Sequence, residues 1–164
     1  MSEIWGTLSI IEGSLDNRVA ARIAKAEFLE PEILKRKSER KVLGKVVLGT
    51  VAGDIHDIGK NIVASLLIAA GFEVYDLGTD VPVEKFIEKA KEVKADVIGA
   101  SALLTTTMLV QKDLADAIKR SGLDVKYIIG GAAVSPQWAE EIGAAYAQDA
   151  SSAVEVIKNL IKQR

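Results

Sequence analysis

His56 is the only histidine in this 164-residue chain, and it stands in the run Gly53-Asp54-Ile55-His56-Asp57-Ile58-Gly59. Imidazole is the side chain most readily switched between proton carrier and metal ligand near neutral pH. A carboxylate two residues before it can hold one ring nitrogen and leave the other for a metal, so Asp54 and His56 read as an orienting partner and its ligand. Two further elements could join them: Ser101-Ala102-Leu103 and Gly130-Gly131, each at the end of an apolar run. Singly, each has a bland reading. Asp-x-His can be a surface pair, Gly59 can let a helix start close to a sheet, Ser101 can end a strand, and a double glycine can be a tight turn.

The elements around these residues set where they fall. Strands are expected over Lys45–Val51, Phe72–Leu77, Asp96–Ser101, Lys126–Gly130 and Ala145–Ala147. Helices are expected over Gly59–Ala70, Val83–Val93, Met108–Ser121, Pro136–Ile142 and Ser152–Lys162. Pro82 before Glu84 marks one helix start, and Lys119-Arg120 before Gly122 marks one helix end. Alternating strands and helices imply an α/β fold, a doubly wound five-stranded parallel sheet. Right-handed crossovers favour the flavodoxin-like, Rossmann-like order 2-1-3-4-5. In such sheets ligands bind outside the carboxyl ends of the strands, where the winding reverses. Asp54 and His56 follow the first strand and Ser101 ends the third, so both land at the reversal.

Residues 1–44 form a separate expectation, a short helical and charged extension ahead of a domain at 45–164. Ser14 can cap an amphipathic helix through Leu15, Val19, Ile23 and Ala26. Pro31 interrupts, and the charge-rich stretch Glu32–Lys45 reads as a solvated linker or a short charged helix.

Composition narrows the classes. Apolar residues make up 49% of the chain, enough for a core, and the formal net charge of -2 argues against nucleic acid as a partner. With no cysteine, thiolate metal sites, disulfides and cysteine nucleophiles are excluded. No apolar stretch reaches the roughly 18 residues of a membrane span, and no secretory signal is visible, so a cytoplasmic protein is expected.

Taken jointly, Asp54-x-His56-x-x-Gly59, then Ser101-x-Leu103, then Gly130-Gly131 resembles the signature of the cobalamin-binding domain, over roughly Lys45 to the C-terminus. Within that superfamily, the runs Gly49–Asn61 and Ser101–Met108 are most similar to corrinoid proteins of methanol, methylamine and aryl-ether methyltransferase systems. The resemblance implies cobalamin or a related corrinoid as cofactor, with His56 binding cobalt from below in place of the cofactor's own base. Asp54 would accept from the other imidazole nitrogen, and the Thr107 hydroxyl, where methionine synthase has a serine, would complete the relay. Gly53, Ile55, Asp57, Ile58 and Gly59 of the same loop would contact the cofactor, as would Thr105. Ser101, Leu103, Gly130 and Gly131 would line a slot for the nucleotide tail. Lys60 and Asn61 either reach a corrin side chain or face solvent.

A methyl group carried on cobalt between partner methyltransferase subunits is the function this implies, with a reductive activase and a homodimer as further expected partners. One histidine and no zinc site argue that the chain does not turn over alone. The family usually places a helical bundle ahead of this domain, and four helices need on the order of 60 residues. A complete bundle does not fit the extension here, so an upper corrin face closed by a partner or by dimerisation is expected. Two rivals remain open: an adenosylcobalamin-binding small subunit of a carbon-skeleton mutase, and a non-catalytic corrinoid sensor or storage module.

Overall fold

Val46-Val47-Leu48 is a continuous β-branched and aliphatic run, which suits a strand covered on both faces. In a computed structural model of the chain, which describes residues 42–163, it forms the centre of β1 (Lys45–Thr50). The chain divides into two units, Met1–Lys41 and Val42–Arg164, and the described residues belong to the second. The expected helix at Ser14–Ala26 and most of the charged stretch after it lie outside the described residues.

The remaining strands are β2 (Glu73–Asp76), β3 (Val97–Ser101), β4 (Lys126–Gly130) and β5 (Ala145–Tyr146), all parallel, in the order β2-β1-β3-β4-β5. Five helices alternate with them: α1 (Ile58–Ala70), α2 (Val83–Val93), α3 (Met108–Ser121), α4 (Pro136–Ile142) and α5 (Ala150–Lys162). This is the flavodoxin-like doubly wound sheet expected from the sequence. The differences are small and have local causes. Helix α5 starts earlier than expected because Asp149 accepts from Ser152 N–H while the Ser152 hydroxyl meets the Asp149 backbone, a reciprocal capping box. Strand β2 is shorter than expected because Phe72 N–H is engaged by the Leu67 carbonyl at the end of α1.

Side-chain alternation sorts the core into two layers. Val46, Leu48, Val97 and Ile128 pack with Leu67 of α1 and Ile157 of α5. Val47, Ile98 and Ile129 point the other way, toward Phe86 of α2 and Leu114 of α3. Winding therefore reverses between β1 and β3. Register pairs Thr50 with Ser101 and Ser101 with Gly130. The last residues of three neighbouring strands thus stand level along one edge of the sheet.

Close packing explains the glycine next to the end of β1. A Cβ on Gly49 would lie 2.7 Å and 2.9 Å from two atoms of the Phe86 ring. That ring is fully buried and has no room to retreat. Gly49→Ala is expected to destabilise the fold by about 1–3 kcal/mol. Urea unfolding should show a lower midpoint with an unchanged slope, and an unchanged midpoint would contradict the packing described here.

Candidate functional site

The loop from β1 into α1 carries Asp54 and His56, and its backbone is tied at almost every residue. Gly53, at φ +84°, donates its N–H to Asp80 Oδ1 at 2.8 Å. Asp80 N–H returns a bond to the Asp54 carbonyl at 2.9 Å, and the buried Thr50 hydroxyl donates to the His56 carbonyl at 2.8 Å. Positive φ is costless for Gly53 but not for Asp80, at φ 51°, whose short polar side chain tolerates it while holding the loop.

At the centre is the Asp54 side chain, which is wholly buried while that of His56 is 52% exposed. Asp54 Oδ1 accepts from His56 Nδ1 at 2.9 Å and from His56 N–H at 3.0 Å. Its Oδ2 accepts from the Leu103 N–H and the Thr107 hydroxyl, each at 2.8 Å. A buried carboxylate is thus met by four donors from the two loops that follow β1 and β3. Burial, the largest influence, works to raise its pKa; the bonds from Leu103, His56 and Thr107 together outweigh it and hold the carboxyl well below the usual range. Ionised Asp54 can only accept, which places the imidazole proton on Nδ1 and the lone pair on Nε2. No hydrogen bond among the described residues engages Nε2.

Beside this loop the level strand ends open into a cleft of about 280 Å³, walled by α1 and α5 and lined by Gly59, Ser101, Gly130 and Gly131 among others. A Cβ on Gly59 would meet nothing within 4 Å, so the glycine faces open space. Gly131 is different. At φ +126°, its Cβ would lie 1.8 Å from the Ala102 carbonyl oxygen, so the chain's own backbone already excludes any side chain there.

The structure brings most of the sequence-derived candidates together and redistributes a few. Ser101, Gly130 and Gly131 line the cleft; Leu103 does not, and offers its backbone N–H to Asp54 instead. Thr105 sits exposed on the turn before α3, with no hydrogen bond to the site among the described residues. Ile55 and Ile58 are 76% and 78% exposed, and Asp57 occupies the N-cap position of α1 without a side-chain cap. Lys60 neither faces solvent nor is free to reach outward. It is buried, with its ammonium on both Asp76 oxygens at 2.7 Å and on Asn61 Oδ1 at 2.8 Å.

Three contributors escaped the sequence reading: Thr50, Asp80 and Gln111. Gln111 is fully buried, and its amide donates to the carbonyls of Ala100 and Gly130 at the cleft edge. Its signal was present, a glutamine in line with the apolar stripe Leu114, Ala115 and Ile118 of α3.

Among the described residues, no three His, Cys, Asp or Glu side chains gather to hold a metal ion. A half-exposed imidazole with a fixed tautomer thus stands beside an open cleft. The family model of the B12 binding domain matches residues 44–158. The chain belongs to the B12-binding domain family.

Its relatives share that cofactor class, and a corrinoid is the cofactor of this domain too. The chain is 51% identical over 148 residues to trimethylamine corrinoid protein 2 of Methanosarcina acetivorans, covering 87% of this chain and 68% of the relative. The structure of the Methanosarcina barkeri monomethylamine corrinoid protein superposes with a TM-score of 0.70 at 42% identity, over 86% of this chain and 67% of that one. The methanol:cobalamin methyltransferase complex MtaBC of the same organism gives 0.77 at 32% identity, over 93% and 60%. The B12-binding chain thus spans about two thirds of the length of these relatives. No helix among its described residues is long and apolar enough to cross a membrane.

The hydrogen-bonded carboxylate has a measurable signature in the corrinoid-free protein. Asp54→Asn puts an NH2 donor where one oxygen accepted from two donors, and should cost about 3 kcal/mol at neutral pH. Because the folded pKa is depressed, this stability is present above the ordinary value of 3.8 and is lost as pH falls from there toward the folded pKa. Urea unfolding of both proteins should therefore show a gap that narrows below that value. A gap constant with pH would mean that Asp54 is not held ionised.

Proposed function

We propose that this domain binds its corrinoid with His56 Nε2 as the lower ligand to cobalt, displacing the cofactor's own base into the cleft beside Gly59. In this reading it carries a methyl group between methyltransferase partners. The observation behind it is the buried Asp54 carboxylate, which fixes the proton on Nδ1 and turns a basic Nε2 outward next to an open cleft. A corrinoid bound there supplies a cobalt ion able to accept a methyl group and to pass it on.

The protein's part is orientation and electrostatics. Asp54 keeps the ring tautomer, and Thr107 and the Leu103 N–H keep Asp54 in place. The Thr107 hydroxyl is within reach of both Asp54 Oδ2 at 2.8 Å and the Leu104 carbonyl at 3.0 Å and can shift between them. Exposed Ile55, Ile58 and Leu104 give apolar surface on which the flat face of a macrocycle can rest. Ser101, Gly130 and Gly131 leave the cleft mouth narrow-walled and free of bulky side chains.

Methyltransferase subunits as partners follow from the relatives, whose names tie them to trimethylamine and monomethylamine and, in MtaBC, to a methanol:cobalamin methyltransferase complex. A reductive activase, a homodimer and a cytoplasmic setting belong to the same proposal. So does a cap over the upper corrin face supplied by a partner.

Reconstitution with hydroxocobalamin, followed by visible spectroscopy, tests the central bond. The wild-type spectrum should be that of a histidine-ligated, base-off corrinoid. His56→Ala should lose that ligation, and Asp54→Asn should keep it with a changed pH dependence. Identical spectra and affinities for wild type and His56→Ala would overturn the assignment of His56.

A further inference from the structure

The cleft beside His56 is built from material that discriminates between aromatic rings. Resting on the reading that it receives the nucleotide tail, we propose that it selects corrinoids by the polarity of their lower base. It takes an apolar benzimidazole or phenol and disfavours a purine.

Apart from Lys60, the buried side chains of the lining on the α1 and α5 face are hydrocarbon: Leu48, Ile128, Ala147, Ala153 and Ile157. Strand-end carbonyls that could have met an exocyclic amine are already engaged. Ala100 and Gly130 accept from the Gln111 amide at 3.1 Å and 3.3 Å. Ser101 accepts from Val51 N–H at 3.0 Å, and Ile129 from Ala147 N–H at 3.1 Å. Lys60 directs its ammonium at Asp76 and Asn61, and Asp149 Oδ1 caps α5 through Ser152 N–H. Among the described residues, the side-chain groups of the lining left to answer a polar base are the Ser101 hydroxyl, Asp149 Oδ2 and the Gln148 amide; Ser101 is half-buried and the other two are exposed, so they stand at the rim and not against the buried walls.

Size does not make the choice. A cleft of about 280 Å³ admits a single or fused ring of either kind. Hydration does. Dimethylbenzimidazole and p-cresol present methyl groups to the hydrocarbon walls. Adenine adds an amine and further ring nitrogens that leave water for buried walls made of hydrocarbon. Each such group left unpaired weakens binding by about fivefold to a hundredfold.

The test is equilibrium binding of the 164-residue chain to aquo-corrinoids that share one corrin ring and differ in the lower base: 5,6-dimethylbenzimidazole, p-cresol or adenine. Cobinamide, which lacks the nucleotide, is the fourth ligand. Each affinity is corrected for that corrinoid's own base-off equilibrium in free solution. The two apolar bases should then agree within a few-fold, and the adenine form should bind at least about tenfold more weakly. Ala153→Ser places a hydroxyl in the lining and should narrow that difference. Equal corrected affinities for adenine and dimethylbenzimidazole would overturn the selectivity while leaving the tail site intact. Cobinamide binding as tightly as the dimethylbenzimidazole form would instead overturn the reading that the cleft holds a base.

Discussion

One buried carboxylate organises this end of the molecule. Asp54 draws the loop after β1 and the loop after β3 onto the same two oxygens, and its four hydrogen bonds leave neither oxygen without a donor. An anion in such a place is tolerable only when it is fully bonded, because an unpaired buried charge costs several kcal/mol. The requirement works in both directions. The donors keep Asp54 charged, and the charged Asp54 fixes where Leu103, Thr107 and His56 can be. The orientation of the imidazole is therefore a consequence of satisfying the carboxylate.

The parallel sheet makes this meeting geometrically available. Thr50, Ser101 and Gly130 stand level because β1, β3 and β4 pair in register, so the loops that leave them share one edge. The reversal of winding puts α1 and α5 on one face and α2 with α3 on the other, and the cleft opens between α1 and α5 over the strand ends. Fold and site are thus one arrangement seen at two scales. Chain crossovers bring residues half the domain apart in sequence, Asp54 and Thr107, to 2.8 Å.

Much of this was legible in the sequence because it rests on local pattern. Strand and helix periods, the short apolar runs and the cap residues gave the five-stranded order, and the Asp54-x-His56 spacing gave the ring and its partner. What was not legible depends on crossover geometry. Asp80 braces Gly53 from the segment after β2, and no spacing along the chain announces that pairing. Lys60, a charged residue in a helix's first turn, ordinarily faces water; here the exposed Asp76 at the end of β2 offers both carboxylate oxygens to its buried ammonium. Leu103 resembled a cleft residue by its motif, yet its contribution is a backbone N–H, which side-chain identity cannot reveal.

Two of these ties, Asp80 to Gly53 and Asp76 to Lys60, run to the chain around β2, which lies at the rim of the sheet and pairs on one side alone. Rim strands open more readily than central ones, in motions short of global unfolding. The rigidity of the histidine loop is therefore tied to an edge strand as well as to the hydrophobic interior. Disturbance arriving at that outer border, from a neighbouring molecule or a change of solvent, has a short mechanical route to the imidazole.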